Sequence, residues 1–328
     1  SDGFGNVFFH STLALGGGVT QSNRIVLYHG QPGNVGVLFR TSDPAPGIPG
    51  GTMTVIVSDS LRMNRLGASC FQAFISGGGT DEAIISGGGG QFFALARDGQ
   101  PFPDNPALSL DRVARTNIDM NAAGRVAFDC MIAGAPFASD TAILIGDPGG
   151  LEVVLREGDP LPGGGVAPHL ANSQWTFNER GQLAMLLAVD GESVLYATRP
   201  NGDLVKLAST SEWLTPDDGP GGLVAAISFE YQARSSDSGK PAIFNGSGEL
   251  VTPIRYVGSG GQGLHVWDID DPCPADLAPP FGLLDLNDIN AFVAGFVGQT
   301  ANGDLDGNGL WDLTDVNIFV GSFTAGCP

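Results

Sequence analysis

The chain has 328 residues, of which 50 are Gly and 22 Pro, with 42% hydrophobic and 15% charged; this excludes a fold dominated by long helices and, equally, a disordered chain. Asp and Glu number 35 against 15 Lys and Arg, a net charge of −20 that repels phosphate backbones and anionic surfaces and so argues against nucleic-acid partners. No apolar run approaches the roughly 18 residues that span a bilayer, so membrane insertion is not expected.

From the first residues onward a start signal recurs: Asp2-x-x-Gly5-x-Val7-Phe8-Phe9, Asn64-x-x-Gly67-x-x-Cys70-Phe71, Asn121-x-x-Gly124-x-Val126-Ala127-Phe128, Asn178-x-x-Gly181-x-Leu183-Ala184-Met185, and a weaker Ser236-x-x-Gly239-x-x-Ala242-Ile243. The intervals of 62, 57, 57 and 58 residues define a tandem repeat. Asn or Asp caps its own turn, and Gly takes the positive-φ position that returns the chain into a strand. A second signal follows in register, Leu38-Phe39-Arg40, Leu95-Ala96-Arg97-Asp98-Gly99 and Val154-Leu155-Arg156-Glu157-Gly158-Asp159-Pro160. Between them lie short apolar runs ending in Gly-rich turns, so each unit reads as about four antiparallel strands. Such units cannot bury both faces alone. Without linkers they point to face-to-face packing, expected as a mostly β chain with a five-bladed β-propeller over residues 1–270, the last blade completed by the N-terminal strand.

These N-x-x-G-x-V-A-F starts and the R-E-G-D-P-x-P-G follow-up resemble a family of secreted bacterial tandem-repeat proteins that end in varied surface-attachment modules. The resemblance implies a secreted, extracellular or cell-surface location and no catalysis. Ser1 in place of Met fits a processed leader and equally a trimmed chain.

After Asp268-Ile269-Asp270-Asp271 the pattern changes to two copies of another unit, over residues 271–328. In the second, Asp304, Asp306, Asn308, Asp312 and Asp315 fall at loop positions 1, 3, 5, 9 and 12, with Gly309 at 6 and the Leu310 carbonyl at 7, the oxygen-ligand spacing of a Ca²⁺ loop. No entering helix precedes it. An exiting one is predicted from Val316, Phe319, Val320 and Phe323, and the first copy repeats the stripe 27 residues earlier with Ile289, Phe292, Val293 and Phe296. In the first loop Asp276, Asp285 and Asp288 are candidate ligands, but Ala278 and Pro280 stand where oxygens belong and the loop is one residue longer, so its Ca²⁺ site is expected to be weaker. The duplicated loop-helix pair resembles a type I dockerin, a small α module. That resemblance implies docking into a cohesin-like receptor; attachment to another copy of the same chain, as a filament subunit, is the alternative.

Cys273 and Cys327 flank the module, where a disulfide would clasp its ends and indicate an oxidising compartment. Cys70 and Cys130 sit in neighbouring repeats at different offsets, leaving a bond and two free thiols equally open. The histidines His10, His29, His169 and His265 share no metal-ligand spacing and read as structural, so zinc is not expected. Gly258-x-Gly260-x-x-Gly263 matches the dinucleotide fingerprint but has no following helix, and reads as a hairpin loop. Asn245-Gly-Ser247 fits a glycan acceptor pattern, and the four Trp read as core before sugar platforms. The expected function is a non-enzymatic scaffold or adhesive head on a Ca²⁺-stabilised connector. The alternatives are a polysaccharide hydrolase or lyase carried by a dockerin, or a polysaccharide-binding module.

Overall fold

The computed structural model describes residues 5–114, 117–199, 202–214, 222–229, 243–245, 248–257, 262–269, 274–275, 277–278, 284–300, 303, 305 and 310–325. The chain is mostly β. Five antiparallel sheets follow one another in sequence. The first comprises Val7–Thr12, Ile25–Gln31 and Asn34–Arg40. The second runs Thr52–Ile56, Ser69–Ser76, Glu82–Gly88 and Gln91–Arg97, with Arg62–Met63 paired to its second strand. The third is built on Asn105–Asp111, Val126–Ala133, Thr141–Asp147 and Gly150–Arg156, with Pro101–Phe102 and Ile118–Met120 at its margins. Gln174–Phe177, Leu183–Val189, Glu192–Thr198 and Leu204–Ser209 form the fourth; Trp213–Leu214, Gly222–Ile227, Glu249–Tyr256 and Gln262–Asp268 form the fifth.

The two-residue period of a strand sends successive side chains to opposite faces, and here both faces of the inner sheets are buried. Counting from the Asn of each start signal, the residue six places on faces the following sheet and the residue seven places on faces the preceding one. Phe71 packs toward the first sheet and Cys70 toward the third. Phe128 packs toward the second and Ala127 toward the fourth; Met185 toward the third and Ala184 toward the fifth. Four cores thus join five sheets in line. Fully buried Phe71, Phe128 and Tyr196 each contribute about 1.5–3 kcal/mol by leaving water.

The start signals are joined by an asparagine ladder. Asn64 Oδ1 accepts from the Leu66 and Ala68 amides of its own turn, while its Nδ2 donates to the Asn121 and Ala122 carbonyls of the next repeat at 3.1 and 3.0 Å. Asn121 Nδ2 donates to the Glu179 carbonyl at 3.3 Å, and Asn178 Nδ2 to the Asn245 carbonyl at 3.0 Å. Each side chain both closes a turn and fastens the next. Gly67, Gly124, Gly181 and Gly248 hold φ between 80° and 88°.

Three expectations are corrected. The fifth start signal is Asn245-x-x-Gly248, whose turn bonds Gly248 N–H to the Asn245 carbonyl and Glu249 N–H to Asn245 Oδ1; the predicted Ser236-Gly239 turn lies outside the described residues. Val7–Thr12 pairs with Ile25–Gln31 in the first sheet and does not complete the last one. No core or strand pairing among the described residues joins the fifth sheet to the first, so they form an open succession of sheets, with no closed propeller.

The two predicted helices form as α1, Leu286–Gly298, and α2, Leu313–Ala325. Asp285 caps α1 and makes a reciprocal capping box with Asp288. Phe292 and Phe319, equivalent positions of the duplication, stack at 4.3 Å with their planes 7° apart. Around them Ile289, Phe296, Val316 and Phe323 close a small separate core with Ala275.

Candidate cation sites

Asp304, Asp306 and Asn308 of the second loop lie outside the described residues, as do Asp276 of the first and both Cys273 and Cys327. The described remainder is organised around two buried carboxylates, Asp288 and Asp315, neither of which is exposed. Asp315 Oδ1 accepts the Leu305 amide at 2.7 Å and its Oδ2 the Asp312 amide at 2.9 Å. Asp312 in turn accepts from Thr314 N–H at 2.7 Å, capping α2. Leu310, whose carbonyl the loop spacing singles out, has an exposed side chain. Trp311 Nε1 donates to the Thr300 carbonyl at 2.9 Å and so ties the second loop to the end of α1.

The first loop is different in kind. Asp288 Oδ1 takes two amides, from Leu277 and Ala278, both at 2.8 Å, and Oδ2 takes that of Asp285 at 2.9 Å. Backbone donors there satisfy the charge at the positions where Ala278 displaces a ligand. Residues 271–328 contain eight Asp and no Lys, Arg or His. Their carboxylates have no cationic side chain within the module to meet, and a hard divalent cation with oxygen ligands, Ca²⁺, fits that donor set.

Cys70 and Cys130 are both free thiols, buried in the core between the second and third sheets. Burial pushes both thiols well above the ordinary range, which makes them poor nucleophiles. Trp175 is buried and Trp213 exposed, while Trp267 donates to Thr252 Oγ1 at 2.8 Å on the inner face of the fifth sheet. The Gly258–Gly263 segment joins two antiparallel strands paired from Glu249↔Asp268 to Arg255↔Gln262, as a hairpin.

A cluster invisible to linear spacing forms at one end of the third sheet. Asp140 comes from the turn before Thr141–Asp147, Glu157 from the end of Gly150–Arg156, and His169 immediately precedes the short 3-10 turn Leu170–Asn172. One ligand atom from each lies within 4.8 Å of the others. Asp140 Oδ1 is buried without a hydrogen-bond partner. Glu157 is 9% exposed and accepts from Thr141 Oγ1 at 2.9 Å.

Residues 2–274 match the family described as Family of unknown function (DUF7453). No curated protein matches the chain.

Proposed function

Because the chain belongs to the DUF7453 family, whose description assigns no activity, its role is read from geometry, and we propose a non-enzymatic extracellular scaffold that links to further copies of itself and carries a Ca²⁺-stabilised, dockerin-like connector. The observation that carries the linkage is the state of the two outermost sheets. Phe9 stands seven places after the first start signal, the position that faces the preceding sheet, and it is 42% exposed where Phe71 and Phe128 are fully buried. It stacks on Tyr28 at 5.2 Å, and Val35 and Val37 extend the same open face. At the other end Val251 occupies the sixth position, facing onward, and Leu264 and Val266 beside it are 72% and 63% exposed.

Arrays of repeats stay soluble when their terminal units turn a polar face outward, and these two do not. One open face is of the onward type and the other of the backward type, the pair that makes each of the four internal cores. A contact between two such different faces is heterologous, and repeated between chains it propagates head to tail. Closure of the same two faces within one chain is the propeller form of this contact. The connector, by its likeness to dockerins, adds either a cohesin-like receptor or a neighbouring copy as partner.

Light scattering after size exclusion, across a hundredfold concentration range with Ca²⁺ present, tests the linkage. The expected result is a molar mass that rises with concentration and falls to one chain in Phe9→Ser/Val37→Ser. A single-chain mass throughout, for the parent protein, contradicts it.

A further inference from the structure

We propose that Asp140, Glu157 and His169 form a binding site for a divalent transition cation of the zinc class, separate from the C-terminal loops and not anticipated by the histidine spacing. The three side chains arrive from three segments, offering two carboxylate oxygens and one imidazole nitrogen within 4.8 Å of one another. One nitrogen and two oxygens is a donor set for zinc or manganese, with the remaining positions left to water. Around a four-coordinate ion with bonds of about 2.1 Å, donors stand about 3.4 Å apart, so binding draws the groups inward by about 1 Å.

The cluster lacks a countercharge. Arg156, next to Glu157 in sequence, is spent elsewhere: its Nε donates to the Ser139 carbonyl at 3.0 Å and its guanidinium lies over the Phe102 ring at 5.5 Å. No Lys or Arg among the described residues pairs with Asp140 or Glu157. The buried Asp140 Oδ1 makes no hydrogen bond, a costly state for a carboxylate oxygen unless a cation meets it. Thr141 Oγ1, by contrast, is fully used, accepting from Leu170 N–H at 2.9 Å and donating to Glu157, so it orients the glutamate toward the cluster.

The preceding repeat shows what this place in the fold requires. There Asp81, Asp98 and Arg112 occupy the positions of Asp140, Glu157 and His169, aligned by the same backbone bonds from Asp98 to Glu82 and from Glu157 to Thr141. A permanent cation, Arg112, acts on the neighbouring Glu82. In the third repeat that permanent charge is exchanged for an imidazole, which is a metal ligand when neutral. A bound ion then supplies the charge that arginine supplies one repeat earlier. It pins the loop leading to Leu170 against the turn before Thr141.

The test is calorimetric titration of the full chain with zinc chloride, after stripping with a chelator and in excess Ca²⁺ so that the C-terminal loops are saturated. One equivalent of zinc should bind the parent protein and the Asp312→Ala variant alike, and raise the melting temperature of both. Asp140→Asn and His169→Arg should each weaken that equivalent at least tenfold. His169→Arg places in the third repeat the residue the second already tolerates, so it keeps the fold intact and the test decisive. No zinc uptake by the parent protein, or undiminished uptake by a folded His169→Arg variant, overturns the proposal.

Discussion

Asp98 sits half-buried at a turn with one carboxylate oxygen unpartnered. Burial, then the nearby Glu82 and Asp111, push its carboxyl from 3.8 up to about 6. The folded state therefore holds a proton that the unfolded state has released between about pH 4 and pH 6. The ionisation penalty is absent below that window and fully present above it. Asp98→Asn should raise stability by about 1 kcal/mol at pH 8, allowing for solvent screening of a half-exposed group. The gain should fade toward pH 4; thermal melts at pH 4, 6 and 8 that show one constant difference would contradict this. At this same scale the start signals were legible because Asn as turn cap and Gly at positive φ are demands on residue type. The fifth was misplaced because constant spacing outweighed chemistry: Asn245-Gly-Ser-Gly248 carries the required residues, yet lies 67 positions after Asn178 instead of 57. The metal cluster was not legible, since Asp140 and His169 are 29 residues apart and only the turn geometry brings them together.

Between residue and molecule stand the repeated turns and helix caps. The arginine of the second signal is incidental to its turn. What recurs is a carboxylate accepting the amide three residues back, Asp43 to Arg40 and Asp159 to Arg156, and Glu212 to Ser209 in a fourth copy that has no arginine. A sequence pattern built on Arg therefore missed it. The helices were read from their apolar stripe, and the stacked Phe292 and Phe319 occupy the positions that stripe assigns to the core. Asp285 and Asp312 are equivalent caps, which separates capping from metal binding. Asp285→Ala should cost about 1 kcal/mol whether or not Ca²⁺ is present. Asp312→Ala should cost the same in chelator and, in addition, lose the stabilisation that Ca²⁺ gives the parent protein. Melts of both variants with Ca²⁺ and with chelator make the comparison; an Asp312→Ala variant stabilised by Ca²⁺ as strongly as the parent would place the ion elsewhere.

Across the whole molecule, alternation of side chains along each strand sorts the core into layers, and the order of the layers follows the order of the repeats. The repeat period and apolar runs made layered β architecture legible. The open ends were not, because exposure of Phe9 or Leu264 depends on what lies beyond the sheet. The internal contact of Phe71 with Phe8, ring centroids 6.5 Å apart, joins a seventh-position residue to a sixth-position residue of the sheet before. The head-to-tail contact places Phe9 of one chain against Val251 of another in the same way. Phe9→Cys and Val251→Cys chains, mixed under mild oxidation, should give a covalent dimer containing one of each, whereas neither variant alone should. The absence of a mixed dimer, with an intramolecular bond forming in the double variant, would mean that the chain closes on itself and does not extend.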